Sequence, residues 1–155
     1  MSRSLAIATA AAALLAPSTL PAQSSDRDAV LATIQRMFDG MAAGDTAMMA
    51  STLEDGARLV QTFSLDGVPA TRELMMSEFL VRVADHEGEA LIERFWDPEV
   101  RIHDNLATVW VSYNFYLGAQ LDHCGEDAFQ LARTPEGWRV IAIADTQRRE
   151  CTERP

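Results

Sequence analysis

Asp127 is the residue of this sequence best placed to do chemistry. It follows Cys124-Gly125 and shares the predicted strand face of Phe129 and Leu131. A carboxyl group on an apolar face loses hydration, so its pKa should rise and it can serve as an acid, a base or a ligand anchor. The alternatives are a register that turns Asp127 outward, or a carboxylate hydrogen-bonded near the strand end.

Tyr113 is the expected companion of Asp127, on the same face of the neighbouring strand. The sequence from Ala107 to Leu117 alternates between two sets of residues, as a half-buried strand does. Tyr113 and Phe115 belong to the inward-facing set. The alternative role for Tyr113 is a core aromatic residue whose hydroxyl reaches the rim of a pocket.

Two further carboxylates lie near apolar strand residues. Glu93 shares a face with Leu91 and Phe95 and could point into a cavity, although a salt bridge with an arginine is the more ordinary role. Asp145 follows an apolar run, but its spacing from Trp138 predicts an outward orientation unless a bulge intervenes.

The histidines give no sign of a metal centre. His86, His103 and His123 lack metal-ligand spacing to one another or to a cysteine, and the last two are expected to face solvent. There is also no nucleophile-elbow serine and no glycine loop for phosphates. The sequence therefore predicts neither a metal nor a cofactor.

Residues 1–24 are typical of a secretory signal peptide. Arg3 precedes the apolar run Leu5–Ala16, and Pro17 and Pro21 follow it. The run is too short to span a bilayer, so no stable membrane anchor is expected. We expect a periplasmic or secreted protein with one domain at residues 25–155.

The charge of the chain argues against nucleic-acid partners. Without the signal peptide, 12 basic and 23 acidic residues leave a net charge of −11, and every basic residue is arginine. An acidic surface repels phosphate backbones.

Export also changes how the two cysteines are interpreted. Cys124 and Cys151 are the only pair in a chain bound for an oxidising compartment, so we predict a disulfide that ties the C-terminal tail to the sheet. Two free thiols are the alternative.

The remaining elements predict an α+β fold, with helices first and long antiparallel strands after them. An amphipathic helix is expected over Ser25–Ala43, and a short helix after an Asp45 cap. Other expectations are a short strand over 57–63, a loop over 67–70, and a third helix from Thr71 to about Asp85. From Glu89 the period becomes two, with a bend at Asp97-Pro98 and turns at 104–105 and 134–137.

The chain resembles the nuclear transport factor 2-like superfamily. The resemblance rests on MFDGMAAGD (37–45), the Met-rich helix after it, and the hairpin FQLARTPEGWRV (129–140). Within the superfamily, DAFQL followed by GW and ADT is most similar to the putative lumazine-binding family. The resemblance implies a cone-shaped, cystatin-like fold in which a curved antiparallel sheet wraps around the N-terminal helices.

The steroid isomerases of this superfamily offer a test of chemistry. Their tyrosine, base aspartate and strand aspartate correspond to Met37, a position near Gln61, and Asp127. Methionine cannot donate to an oxyanion and glutamine cannot act as a base, so isomerisation by that route is not expected.

Three functions therefore remain open. The first is a domain that binds a small apolar or aromatic molecule, with Asp127 as polar anchor. The second is a cofactor-independent isomerase, dehydratase or cyclase that uses Asp127 as acid or base together with Tyr113. The residues expected to line or support the pocket are Phe38, Tyr113, Phe115, Asp127, Phe129 and Trp138.

The third function is a protein-interaction domain with a filled core and a convex sheet face that binds a partner. Trp96, Trp110 and Tyr116 share that predicted face. Related domains commonly dimerise through it, so a homodimer is a further expectation.

Overall fold

The computed structural model describes residues 20–152, with side chains from Ser25 onward. The predicted signal peptide lies mostly outside the described residues, and its cleavage site remains a prediction. Among the described residues, no helix has the length and apolar character needed to cross a membrane.

Within residues 20–152, three helices precede or interrupt the sheet: α1 (Leu20–Ala43), α2 (Thr46–Ala50) and α3 (Met76–Ala84). The apolar stripe of α1 is buried as its periodicity predicts. Asp45 caps α2 by accepting a hydrogen bond from the Met48 backbone N–H at 2.8 Å. Gly44 takes the left-handed conformation (φ 64°) that lets the chain turn sharply between α1 and α2.

Six strands form one open, curved sheet in the order β2-β1-β6-β5-β4-β3. Neighbours are antiparallel, except that β1 and β6 run parallel. The strands are β1 (Leu53–Leu65), β2 (Val68–Met75), β3 (Leu91–His103), β4 (Leu106–Leu117), β5 (Gln120–Thr134) and β6 (Gly137–Thr146). The hydrophobic core lies between the inner face of the sheet and the helices.

The segment after β1 differs from its prediction. The expected loop over 67–70 and the first turn of the expected helix from Thr71 are instead the edge strand β2, and Thr71 pairs with Thr62. Asp66 (φ 52°) and Gly67 (φ 79°) form a two-residue turn with both central residues left-handed. Asp-Gly is a preferred sequence for such hairpins, so the local signal for β2 was present in the chain.

The predicted turns and bend in the remaining strands are confirmed. Turns at 104–105 and 135–136 separate the antiparallel strands. In β3 the pairing register shifts between Trp96 and Glu99, and Asp97 adopts φ 52°. Proline cannot donate to the ladder, which explains a bulge at Asp97-Pro98.

The aromatic residues predicted on the outer face differ in their exposure to solvent. Trp110 is 50% exposed, whereas Tyr116 is only 7% exposed. The guanidinium of Arg94 lies 5.1 Å from the Tyr116 ring centroid and shields it from solvent.

Candidate functional site

A cavity of about 140 Å³ opens between α1, α3 and the inner face of the sheet. Its lining is mainly apolar, with a polar group of side chains at one end. The lining residues are Met37, Phe38, Met41, Leu59, Gln61, Met76, Phe79, Leu91, Glu93, Tyr113, Phe115, His123, Asp127, Phe129, Ile143, Asp145 and Gln147. The cone is therefore not packed solid.

A larger groove of about 490 Å³ lies on the opposite face of the sheet, beside Trp110. It is open to solvent, and the buried carboxyl groups lie on the other side of the sheet. We therefore place the candidate site in the smaller inner cavity, where apolar walls meet buried polar atoms.

Most of the predicted pocket residues meet in this cavity. Phe38, on α1, packs against Phe95 and Phe129, with ring centroids 6.0 and 5.9 Å apart. Tyr113, Phe115 and Asp127 also line it. The alternation of β4 and β5 therefore predicts the inner face correctly.

Trp138 is the exception among the predicted pocket residues. It is buried, but it lies outside the cavity lining, with the Arg133 guanidinium 4.4 Å from its ring centroid. Trp138 lies near the start of β6, seven residues before Asp145. Seven residues of extended chain span about 23 Å, so Trp138 is far from the polar end of the cavity.

Glu93 and Asp127 form a carboxyl pair inside the cavity. Their side chains are within hydrogen-bonding reach, and Asp127 is 4% exposed. Burial raises the pKa of Asp127 to about 7, against the hydrogen bond from Glu93, which lowers it. Burial and the neighbouring Asp127 raise the pKa of Glu93 well above its usual range. The hydrogen bond between them raises the pKa of Glu93 and lowers that of Asp127, so Glu93 is the member of the pair that donates. No ion pair joins Glu93 to an arginine in the described residues.

Asp145 also lines the cavity, which corrects its predicted outward orientation. In β6, Ala142 pairs with Gln130 and Val140 pairs with Leu131, so Ile141 is an unpaired bulge residue. One inserted residue reverses the alternation of the strand. Trp138 and Val140 are buried before the bulge, and Asp145 is turned inward after it.

Asp145 belongs to a polar row that crosses the sheet. Arg72 on β2 donates to Gln61 Oε1, and Gln61 Nε2 donates to Asp145 Oδ2 at 3.5 Å. Gln147 Nε2 donates to the same oxygen at 3.2 Å. Burial raises the pKa of Asp145, against the lowering effect of these amides. Asp127 is its direct cross-strand partner on β5.

Tyr113 is held by the end of β6. Its hydroxyl donates to the Thr146 carbonyl at 2.9 Å, and burial raises its pKa. A side chain at Gly125 would bring its Cβ within 1.8 Å of the Thr146 carbonyl oxygen. Glycine at 125 therefore allows the backbone approach that positions Tyr113.

His123 is a cavity residue rather than the solvent-facing one expected. Its ring stacks on Phe115, with centroids 4.6 Å apart, and meets the Tyr113 ring edge-on at 5.8 Å. Nδ1 lies 2.8 Å from Asp122 Oδ2, and this hydrogen bond lowers the pKa of Asp122. His103, in contrast, is exposed as predicted.

The predicted disulfide is present and lies next to the site. Cys124 and Cys151 are bonded, with their Cα atoms 5.8 Å apart. Cys124 also pairs with Arg148, and Asn114 Nδ2 donates to the Thr152 carbonyl at 3.4 Å. These contacts hold the segment after Gln147 against β4 and β5.

Weak signals for Glu93 and His123 are present in the sequence. The alternation around Glu93 indicated the correct face, but an isolated glutamate predicted a salt bridge. His123 lies on the same strand face as Gly125 and Asp127, since it precedes them by two and four residues. A bulge at Asp122, just before His123, interrupts the β4–β5 pairing. Among the described residues, no three His, Cys, Asp or Glu side chains are grouped as metal ligands.

Comparison with known protein families assigns this chain to one of them. The family model described as "Putative lumazine-binding" matches residues 25–144. A comparison with curated proteins found no match.

Solved structures share the fold. A nuclear transport factor 2-like protein of unknown function from Shewanella baltica is 12% identical, with a TM-score of 0.62 over 84% of this chain and 98% of that one. A structure from Streptomyces avermitilis, named a putative dehydratase of the same superfamily, is 17% identical, with a TM-score of 0.63 over 81% and 98%. A protein with a cystatin-like fold from Novosphingobium aromaticivorans is 14% identical, with a TM-score of 0.63 over 84% and 86%.

At these identities the structural neighbours show the fold alone. The family model covers most of the sequence, including both helical and sheet elements that build the cavity. The chain therefore has the nuclear transport factor 2-like fold and belongs to the putative lumazine-binding family.

Proposed function

We propose that this protein is exported and binds a small, mostly apolar molecule in the inner cavity. The observation that carries the proposal is a cavity of about 140 Å³ with apolar walls and buried carboxyl groups at one end. A cavity of about 150 Å³ is large enough for one benzene-sized ring. The Cys124–Cys151 disulfide supports export, because such bonds persist in oxidising compartments.

A matched pair of variants tests binding in this cavity. Leu59 lines the cavity, whereas its neighbour Val60 lines the outer groove. We expect Leu59→Trp to fill much of the cavity, and to abolish both a co-purifying ligand in native mass spectrometry and thermal stabilisation by single-ring compounds. Val60→Trp should retain both signals. Equal retention in the two variants would place binding elsewhere.

A second candidate function is proton-transfer catalysis of the isomerase, dehydratase or cyclase type. It is favoured by Asp127, whose pKa of about 7 suits a general acid or base near neutral pH. The name of the Streptomyces avermitilis neighbour, a putative dehydratase, is consistent with this class.

Exchange of carbon-bound protons tests the catalytic candidate without a known substrate. Asp127 would remove an α-proton from cyclohexanone, leaving the enolate, and a deuteron from D₂O would replace the proton. NMR should show exchange that falls by at least about 100-fold in Asp127→Asn. Glu126→Gln, on the opposite strand face, is the control. If cyclohexanone binds but its protons exchange no faster than in solvent alone, catalysis is excluded and only ligand binding remains.

A further inference from the structure

The polar end of the cavity contains two buried carboxyl oxygens that accept from no N–H or hydroxyl group of the described residues. Asp145 is 8% exposed, and its Oδ1 is buried without a partner in the described residues. Asp127 Oδ2 is also buried and accepts from no N–H or hydroxyl there, which leaves the Glu93 carboxyl as its neighbour. A buried acceptor without a donor destabilises the fold, so these oxygens favour a ligand that donates.

The neighbouring donors each make at least one hydrogen bond within the protein. The amides of Gln61 and Gln147 donate to the other oxygen of Asp145, and the Tyr113 hydroxyl donates to the Thr146 carbonyl. His123 Nδ1 is engaged with Asp122. A ligand with only acceptor groups would leave these carboxyl oxygens without an N–H or hydroxyl donor.

The two carboxyl oxygens that lack an N–H or hydroxyl donor belong to directly opposed residues. Asp127 on β5 and Asp145 on β6 are cross-strand partners, and such partners have Cβ atoms about 4.5–5.5 Å apart on one face. Two like charges placed opposite each other are destabilising. One small cation between them would remove that repulsion and donate to both.

The charges around this pair come from several elements. Glu93 on β3 acts on both carboxyl groups, Tyr113 lies beside them on β4, and His123 on β5 acts on Asp145. Arg148, in the segment after β6, acts on Tyr113. Glu126, on β5, adds negative charge from the outer face. No arginine lines the cavity, and Arg72 reaches the pair only through Gln61.

We propose that the ligand is a single-ring amine whose protonated nitrogen bridges Asp127 and Asp145, with its ring against Phe38, Phe115 and Phe129. This inference rests on the proposed binding function and adds the chemical class of the ligand. An ammonium group supplies three donors and no acceptor, which matches the unused atoms of the cavity. The apolar walls match the ring.

Three probes of similar shape test the inference by calorimetry: benzylamine, benzyl alcohol and benzoate. Benzylamine should bind best to the wild-type protein at pH 8 and benzoate worst. Between pH 5.5 and pH 8 benzylamine affinity should rise by about 30-fold, because the amine must displace a proton from a carboxyl group whose pKa is about 7. Benzyl alcohol should not show this rise.

Variants that remove one negative charge show which carboxyl groups bind benzylamine. Asp127→Asn and Asp145→Asn should each weaken benzylamine binding at pH 8 by at least about tenfold, the size of one lost charge-assisted hydrogen bond. Asp127→Asn should also reduce the rise with pH, since Asp145 is then the one bridging carboxyl group left to titrate. Glu126→Gln removes a charge from the outer face of the same strand, and should change affinity less than about threefold.

The outcomes separate the inference from the function on which it rests. If benzyl alcohol binds as well as benzylamine, and Leu59→Trp blocks both, the amine inference is wrong while cavity binding stands. A benzylamine affinity that falls as pH rises would also overturn it. If no probe binds and no ligand co-purifies, the proposed function itself fails.

Discussion

At the scale of single residues, the site depends on where each polar side chain finds a partner. Tyr113 finds its partner in the backbone of β6, whereas Asp127 and Asp145 each keep a buried oxygen without a donor from the backbone or a hydroxyl. Tyr113 therefore serves structure and positioning, and the carboxyl groups remain available to a ligand.

Tyr113→Phe tests this division of roles. Removing the hydroxyl leaves the Thr146 carbonyl without that donor, so the free energy of unfolding should fall by about 1–2 kcal/mol in urea titrations. Tyr116→Phe is the control, since the Tyr116 hydroxyl accepts only a 3.4 Å hydrogen bond from Asn114. A larger loss in the control than in Tyr113→Phe would contradict the assignment.

The residue patterns predicted the inner face of β4 and β5 but not that of β6. Val109, Val111 and Phe129 alternate without interruption near the site, so parity could be counted from the sequence. In β6 the alternation of inward and outward residues is interrupted at Ile141, which is unpaired. The side chains around it are similar and apolar, so the sequence does not show which residue forms the bulge. Asp145 was consequently assigned to the wrong face.

At the scale of elements, the segment after β6 closes one side of the cavity. Gln147 lines the cavity, and the disulfide holds the residues beyond it against β5. The bond links residues separated by 27 positions, so it removes considerable freedom from the unfolded chain.

The double variant Cys124→Ser/Cys151→Ser should lose about 3–4 kcal/mol of unfolding free energy, the chain-entropy value for a loop of this size. Urea denaturation of the oxidised protein measures the loss, and wild-type protein in reductant should reproduce it. An intact mass that shows two alkylatable thiols in the untreated exported protein would refute the disulfide.

The ends of helices and strands were predictable where a capping or turn residue marks them in the sequence. Asp45 and the turns at 104–105 and 135–136 follow directly from residue type. The β2 strand was missed because Leu74, Met75 and Phe79 continue an apolar pattern into α3, and that pattern favoured one long helix. Pairing of β2 with β1 outweighs it, since Asp66-Gly67 turns the chain back at once.

At the scale of the whole molecule, several buried acids make stability depend on pH in an unusual direction. The pKa of Asp127 is about 7 in the fold and 3.8 for an ordinary aspartate. The folded protein therefore binds more protons than the unfolded chain between about pH 4 and pH 7, and stability falls as pH rises through this interval. The raised pKa values of Glu93 and Asp145 act in the same sense, while the lowered pKa of the partly exposed Asp122 acts in the opposite sense.

Thermal or urea unfolding at pH 4.5 and pH 8 checks this prediction. The free energy of unfolding should be higher at pH 4.5, with Asp127 accounting for at most about 4 kcal/mol of the difference. Asp127→Asn should reduce the difference and raise stability at pH 8, and Glu126→Gln should leave the difference in place. A wild-type protein that is more stable at pH 8 would show that these acids are not buried together.

The sequence by itself determined the α+β class, the amphipathic face of α1, the cysteine pair and the inward direction of Asp127. Each of these follows from local periodicity or residue type. Only the tertiary structure decided that Glu93, Asp127 and Asp145 meet, because their proximity depends on the strand order and on the bulge at Ile141. The strand order is set by pairings between residues far apart in the chain, and no local pattern of side chains encodes them.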